Sequence, residues 1–145
     1  MPSIEAIVEI YSSLCLRVNR LSLYSCPVSA GFPSPADDYL EGQLDLNEHL
    51  IRHPVATFFV RVAGDSMIRA GIHSGDLLIV DRSLEARDGR VIIAVVNGEL
   101  LVKRLRQSRE CVYLVADNPD YPPLLITEAM DFQVWGVVTN VIHAL

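Results

Sequence analysis

The sequence is nearly devoid of lysine. Of its 12 basic residues, all but Lys103 are arginine. A guanidinium stays protonated in a protein, so Lys103 alone among them can serve as an amine base. Positive charge as a whole is also in deficit, with 12 Lys and Arg against 18 Asp and Glu and a net charge of -6. Binding to nucleic acid depends on a basic face that displaces counterions, so this balance argues against an autonomous DNA- or RNA-binding domain. Long apolar runs are missing too. None approaches the roughly 18 residues of a membrane helix, and Glu5 and Glu9 stand where a secretory leader would carry positive charge. The expected setting is cytoplasmic. The three cysteines, Cys15, Cys26 and Cys111, show no CxxC or Cys/His spacing, which points to neither a disulfide framework nor a zinc site. His49, His53, His73 and His143 form no HxxxH or HxH pair, so no metal and no cofactor are expected.

What is present reads as one globular domain. A chain of 145 residues, 50% hydrophobic and 21% charged, has room for a single sizeable core. Ile4, Ile7, Tyr11, Leu14, Val18 and Leu21 recur at alternating spacings of three and four, which predicts an amphipathic helix within residues 1–26. Pro27, Gly31, Pro33 and Pro35 then mark a linker. Leu44, Leu46, Leu50 and Ile51 predict a short turn or helix that ends before Pro54. From Thr57 onward the pattern is β. Strands are expected at Thr57 to Val62, Leu77 to Val80, Val91 to Val96, Glu99 to Lys103, Cys111 to Ala116 and Phe132 to Ile142, the last bulged at Gly136. Asn97-Gly98 between two apolar runs predicts a tight hairpin.

Two residues stand out chemically. Ser66 lies in Gly64-Asp65-Ser66-Met67, between a predicted strand and a predicted helical turn at Ile68-Arg69-Ala70-Gly71. A serine at such a turn can present its hydroxyl while nearby backbone N–H groups converge on an oxyanion. Taken alone, the tetrapeptide is explained as well by a serine that caps the turn. The hairpin register adds weight, because with Asn97 and Gly98 as the loop, Lys103 lies opposite Ile92 and shares a face with Leu101, Leu105 and Ala94. Partial desolvation among these groups disfavours an ammonium and favours a usable amine base. A neutral lysine within reach of Ser66 would give the Ser-Lys variant of the triad. The competing explanations are a strand lysine that reaches to water and a Ser-His-Asp arrangement using His73.

With Gly64-Asp65-Ser66-Met67 and Val102-Lys103-Arg104-Leu105 both in view, the chain resembles the LexA/UmuD family of self-cleaving Ser-Lys peptidases, and its UmuD branch most of all. Supporting stretches are Ala30 to Tyr39, Leu44 to Asn47, His53 to Val60, Ser74 to Asp81 and Gly136-Val137-Val138. They run in one order from about residue 30 to 142. The resemblance implies an all-β fold of curled antiparallel sheets, the LexA C-terminal (peptidase S24) type, with residues 1–30 as a removable N-terminal arm, 31–56 as linker and lead-in, and 57–145 as the core. It implies Ser66 as nucleophile, Lys103 as general base, the Asp65 and Ser66 backbone amides as oxyanion donors, and Ala30-Gly31 as the cleaved bond. It further implies a homodimer, activation by RecA filaments on single-stranded DNA, and a shortened form that serves a UmuC-like polymerase in SOS mutagenesis and translesion synthesis. The region ahead of the core is too short for the winged helix-turn-helix of a repressor. Two alternatives remain, a non-catalytic interaction module with a permanent docking helix and a peptidase related to signal peptidases.

Overall fold

The computed structural model describes residues 6–12, 20–24 and 40–145. They divide into two compact units, Cys15–Arg52 on one hand and Met1–Leu14 with His53–Leu145 on the other. In the smaller unit, strands β2 (Arg20–Tyr24) and β3 (Leu40–Asp45) pair antiparallel, with Leu21 opposite Leu44. A short helix α1 (Leu46–Leu50) follows, and the Asp45 carboxylate caps it by accepting the Asn47 N–H at 3.0 Å.

The larger unit is one antiparallel sheet. Its strands are β1 (Ala6–Ser12), β4 (Thr57–Ala63), β5 (Leu77–Asp81), β6 (Val91–Val96), β7 (Glu99–Gln107), β8 (Val112–Val115), β9 (Leu124–Ile126) and β10 (Phe132–Ile142), in the order β1-β4-β5-β10-β6-β7-β8-β9. Both faces of its middle are buried. On β6, Ile93 joins Phe58, Val60, Leu78, Val80 and Val102 in one cluster, while Ile92, Ala94 and Val96 join Leu105, Leu114 and Val137 in another. This explains why Val91 to Val96 is an unbroken apolar run and does not alternate, since both faces of the strand need apolar cover. The fold is all-β and antiparallel as expected. Among the described residues no helix is long and apolar enough to cross a membrane.

The hairpin forms as the sequence requires. Asn97 and Gly98 have φ of 50° and 82°, the left-handed pair that a two-residue turn needs, and the register runs from Val96 opposite Glu99 to Ile92 opposite Lys103. The bulge at Gly136 is also present, as a register shift between Val134 and Gly136. A Cβ at Gly136 would stand 2.7 Å from Val80 Cγ1 and 3.2 Å from the Asp81 carbonyl oxygen, so only glycine fits where β10 passes β5.

The expected N-terminal helix is not formed in the described residues, which are strands at Ala6–Ser12 and Arg20–Tyr24. The cause is non-local. Strand β4 offers a free row of backbone donors and acceptors, and Ile7, Val8, Ile10 and Tyr11, β-branched or aromatic, suit a strand better than a helix. β1 pairs along β4 from Ala6 opposite Ala63 to Ser12 opposite Phe58. The docking helix of the alternative reading is thereby removed over these segments.

Candidate active site

Ser66 sits in the turn that leaves β4. Gly64 opens this turn with φ of 94°, and a single 3-10 turn (Ile68–Ala70) closes it at Gly71, φ 82°. The turn is held by its own backbone, with the Ile68 N–H donating to the Asp65 carbonyl at 3.2 Å and the Ala70 N–H to the Met67 carbonyl at 3.0 Å. Met67 is buried in the core and anchors the turn from below. Ser66 itself is 1% exposed.

A second loop, after β8, clamps this turn. The Asn118 side-chain amide donates to the Asp65 carbonyl at 2.9 Å, and the Tyr121 hydroxyl donates to Asp65 Oδ1 at 2.6 Å. The Arg69 N–H reaches the Asp117 carbonyl at 2.9 Å. The loop is fixed in turn to β7, because Arg104 grips the Asp117 carboxylate through Nε at 3.0 Å and Nη2 at 2.5 Å, while Nη1 donates to the Gly89 carbonyl at 2.6 Å. Those hydrogen bonds to Asp117 raise the Arg104 pKa above its ordinary value, outweighing the opposite effect of burial.

Lys103 precedes Arg104 on β7 and is partly exposed. Its neighbours on that face are the predicted ones, since Leu105, Ile92 and Ala94 belong to one buried cluster and Leu101 packs against it. Its Nζ lies 5.2 Å from the centroid of the Tyr121 ring, within cation–π range. Tyr121 therefore has Lys103 Nζ over its face and the residue preceding Ser66 at its hydroxyl. Sequence reasoning singles out Ser66 and Lys103 but misses Tyr121, Asn118, Asp117 and Arg104. The turn-forming run Asn118-Pro119-Asp120-Tyr121-Pro122-Pro123 is the available signal for a shaped loop.

The remaining sequence candidates fall elsewhere. His73 faces Asp76, with Nδ1 3.7 Å from Oδ2, and its ring lies 4.5 Å from that of His143. His53 bonds Asp81 through Nδ1 at 2.6 Å. Ala30 and Gly31 lie outside the described residues.

Comparison with known proteins shows the family to which the chain belongs. The family model "Peptidase S24-like" matches residues 22–139, a span that includes the Ser66 turn, Lys103 and the Tyr121 loop. Protein SamA of Salmonella typhimurium is 52% identical over 118 residues, covering 81% of this chain and 80% of that protein. Protein MucA of Escherichia coli is 44% identical over 136 residues, 92% of each chain. The LexA repressor of Dechloromonas aromatica is 40% identical over 117 residues, which is 80% of this chain and 58% of the repressor. With the matched family, the relatives and the all-β fold in agreement, the chain belongs to the Peptidase S24-like family, among its UmuD-like members.

Proposed function

We propose that this protein is an SOS-mutagenesis peptidase that cuts its own chain between Ala30 and Gly31. The observation that carries the reading is the Tyr121 clamp, which ties the nucleophile turn, through Asp65, to the face of the ring over which Lys103 lies. In the proposed reaction Lys103 Nζ, as a neutral amine, takes the Ser66 hydroxyl proton, and Oγ attacks the Ala30 carbonyl carbon. The resulting oxyanion is held by the Asp65 and Ser66 backbone N–H groups. Collapse breaks the bond to Gly31, whose amine leaves with the proton from Lys103. Water, deprotonated by the same lysine, then hydrolyses the Ala30 ester on Ser66 and frees residues 1–30.

The removed segment contains Glu5, Glu9, Arg17 and Arg20 and is neutral in sum, so the remaining chain keeps its charge of -6. The switch is steric. Cutting releases the segment that contains β1, the strand now covering the edge of β4. In this proposal RecA filaments on single-stranded DNA stimulate the cut, and the shortened homodimer, residues 31–145, serves a UmuC-like polymerase in translesion synthesis in the cytoplasm, without binding DNA itself.

The test is incubation of purified protein at alkaline pH with mass spectrometry of the products. A fragment starting at Gly31, formed by the unaltered chain and absent in Ser66→Ala, is expected. No cutting under RecA-filament stimulation, or a fragment with another first residue, would remove the assignment.

A further inference from the structure

Apart from Ser66 and Lys103, the structure gathers a second chemically distinctive set. His73 lies in the loop between the nucleophile turn and β5, Asp76 ends that loop, and His143 directly follows β10. The register explains their meeting. Ile142 pairs with Leu77, so the next antiparallel step sets His143 across from Asp76. Asp76 is fixed in place, since its carbonyl accepts the Val62 N–H at 3.1 Å and its N–H donates to the His73 carbonyl at 3.0 Å. Its side chain is 3% exposed.

Both imidazoles turn their Nδ1 edge onto this one carboxylate. His143 Nδ1 is 2.6 Å from Asp76 Oδ1, and His73 Nδ1 is 3.7 Å from Oδ2. One donor atom from each of the three residues falls within a 4.8 Å group. Oδ2 accepts the His73 backbone N–H at 2.7 Å, while the His73 ring Nδ1 stands beyond hydrogen-bond distance of it at 3.7 Å. Among the described residues, His73 Nδ1 is the buried side-chain polar atom that makes no hydrogen bond. An orphaned buried nitrogen calls for an explanation, and two imidazoles with one carboxylate supply a familiar one.

We propose that His73, Asp76 and His143 form a binding site for a divalent first-row transition ion of the Zn²⁺ class. The nitrogen-rich donor set selects Zn²⁺ and its neighbours over Mg²⁺ and Ca²⁺, which prefer oxygen. Ligands at about 2.0–2.2 Å from one ion lie roughly 3.3 Å apart in a tetrahedron, so the rings must close in slightly. They can do so, being 46% and 43% exposed. Both rings bind as neutral imidazoles with the proton on Nε2, which requires the Nδ1 hydrogen bond from His143 to Asp76 to give way to metal bonds. Three protein ligands leave a coordination position for water. The ion would join the end of β10 to the loop that returns from the Ser66 turn, and Ser74 Oγ of that loop accepts the Gly64 N–H at 3.3 Å.

The experiment is titration of the untagged full chain with Zn²⁺ against a chromophoric chelator, with Co²⁺ as a spectroscopic probe. One equivalent of Zn²⁺ is expected to bind with micromolar or better affinity, unaffected by millimolar Mg²⁺ or Ca²⁺. Co²⁺ should give visible absorption bands, and imidazole ¹⁵N spectra should shift at His73 and His143 but not at His49 or His53. His73→Gln and His143→Gln should each weaken binding at least roughly tenfold. Their rings are half exposed, so both variants should fold, and the site is tested through them and not through the buried Asp76. Zn²⁺ affinity unchanged in the double histidine variant would place the ion on other donors, such as His53 with Asp81, and would overturn the proposal. Binding weaker than millimolar in the unaltered chain would overturn it as well.

Discussion

Tyr121 offers a direct test of whether the clamp positions the chemistry, because its two contacts can be removed separately. Tyr121→Phe deletes the 2.6 Å hydroxyl bond to Asp65 and keeps the ring beneath Lys103. A hydrogen bond to a charged group contributes about 1.5–3 kcal/mol when sheltered. This one is exposed, so about 1 kcal/mol is a fair allowance. If that energy goes into holding the turn in its reactive position, the rate of self-cleavage falls by about fivefold, at 1.36 kcal/mol per factor of ten. Tyr121→Leu also removes the ring over which Lys103 lies, and because a cation–π contact holds an ammonium and not the neutral amine that acts as base, it should slow cleavage no further than Tyr121→Phe. The assay is the first-order rate of product formation at several alkaline pH values, beside a urea unfolding curve for each variant. The rate-against-pH profile should keep its shape in Tyr121→Phe, since Lys103 remains the base. Unaltered rates in both variants would refute the positioning argument, and so would rate losses that merely track a loss of folded protein.

Other expectations follow from the same structure. Lys103→Arg should be as inactive as Ser66→Ala, because guanidinium cannot accept the serine proton; cleavage by Lys103→Arg, followed by mass spectrometry, would leave the mechanism without its base. Gly136→Ala should destabilise by about 1–3 kcal/mol through overpacking, because the new methyl meets the fully buried, β-branched Val80 and the Asp81 backbone; a urea midpoint equal to that of the unaltered chain would contradict so close a fit. Burial pushes the Asp81 carboxyl up, but Ser83 and His53 outweigh it and hold it below the ordinary carboxyl range. Its stabilising contribution is therefore present above about pH 4 and is lost as pH falls through the depressed folded value. Urea midpoints of the unaltered chain and Asp81→Asn should accordingly converge on acidification, and a constant gap would argue otherwise. A chain beginning at Gly31 should keep a cooperative melt, because the strands from β4 to β10 pair without β1 or β2, and a loss of cooperativity would show the removed strands to be integral.

What the sequence reveals and what it conceals divide along one physical line. Local codes are legible. Asn97-Gly98 has a single good hairpin geometry, and once it is accepted the period of two places Lys103 opposite Ile92 without further information. The β-branched runs mark β4 to β8 and β10, while β9, three residues long, is too short to leave a pattern. Concealed features depend on a partner distant in the chain. Ile4, Ile7 and Tyr11 satisfy a helical stripe, yet residues 6–12 become a strand because β4, some fifty residues later, offers an open edge. Tyr121 and Asp65 are 56 residues apart and His143 and Asp76 are 67 apart, so no spacing rule would join either pair.

The corrected N-terminal segment also changes what the proposed cleavage would accomplish. An amphipathic helix lying on the core would be removed as a rigid body and would uncover an apolar stripe. A strand is different, because its hold on β4 is a ladder of backbone hydrogen bonds, and removal leaves a row of unpaired N–H and C=O groups. Such an edge is a template for another extended segment, whether from a second copy or from a different protein. It carries little side-chain information of its own, so its selectivity would come from β4 side chains that alternate along the exposed edge. The edge is also short, seven residues from Thr57 to Ala63, which limits any added strand to a comparable length. In the proposed reaction the serine and lysine would be only the trigger, and the cut would sever from the core both the edge strand β1 and the strand β2 that pairs with β3.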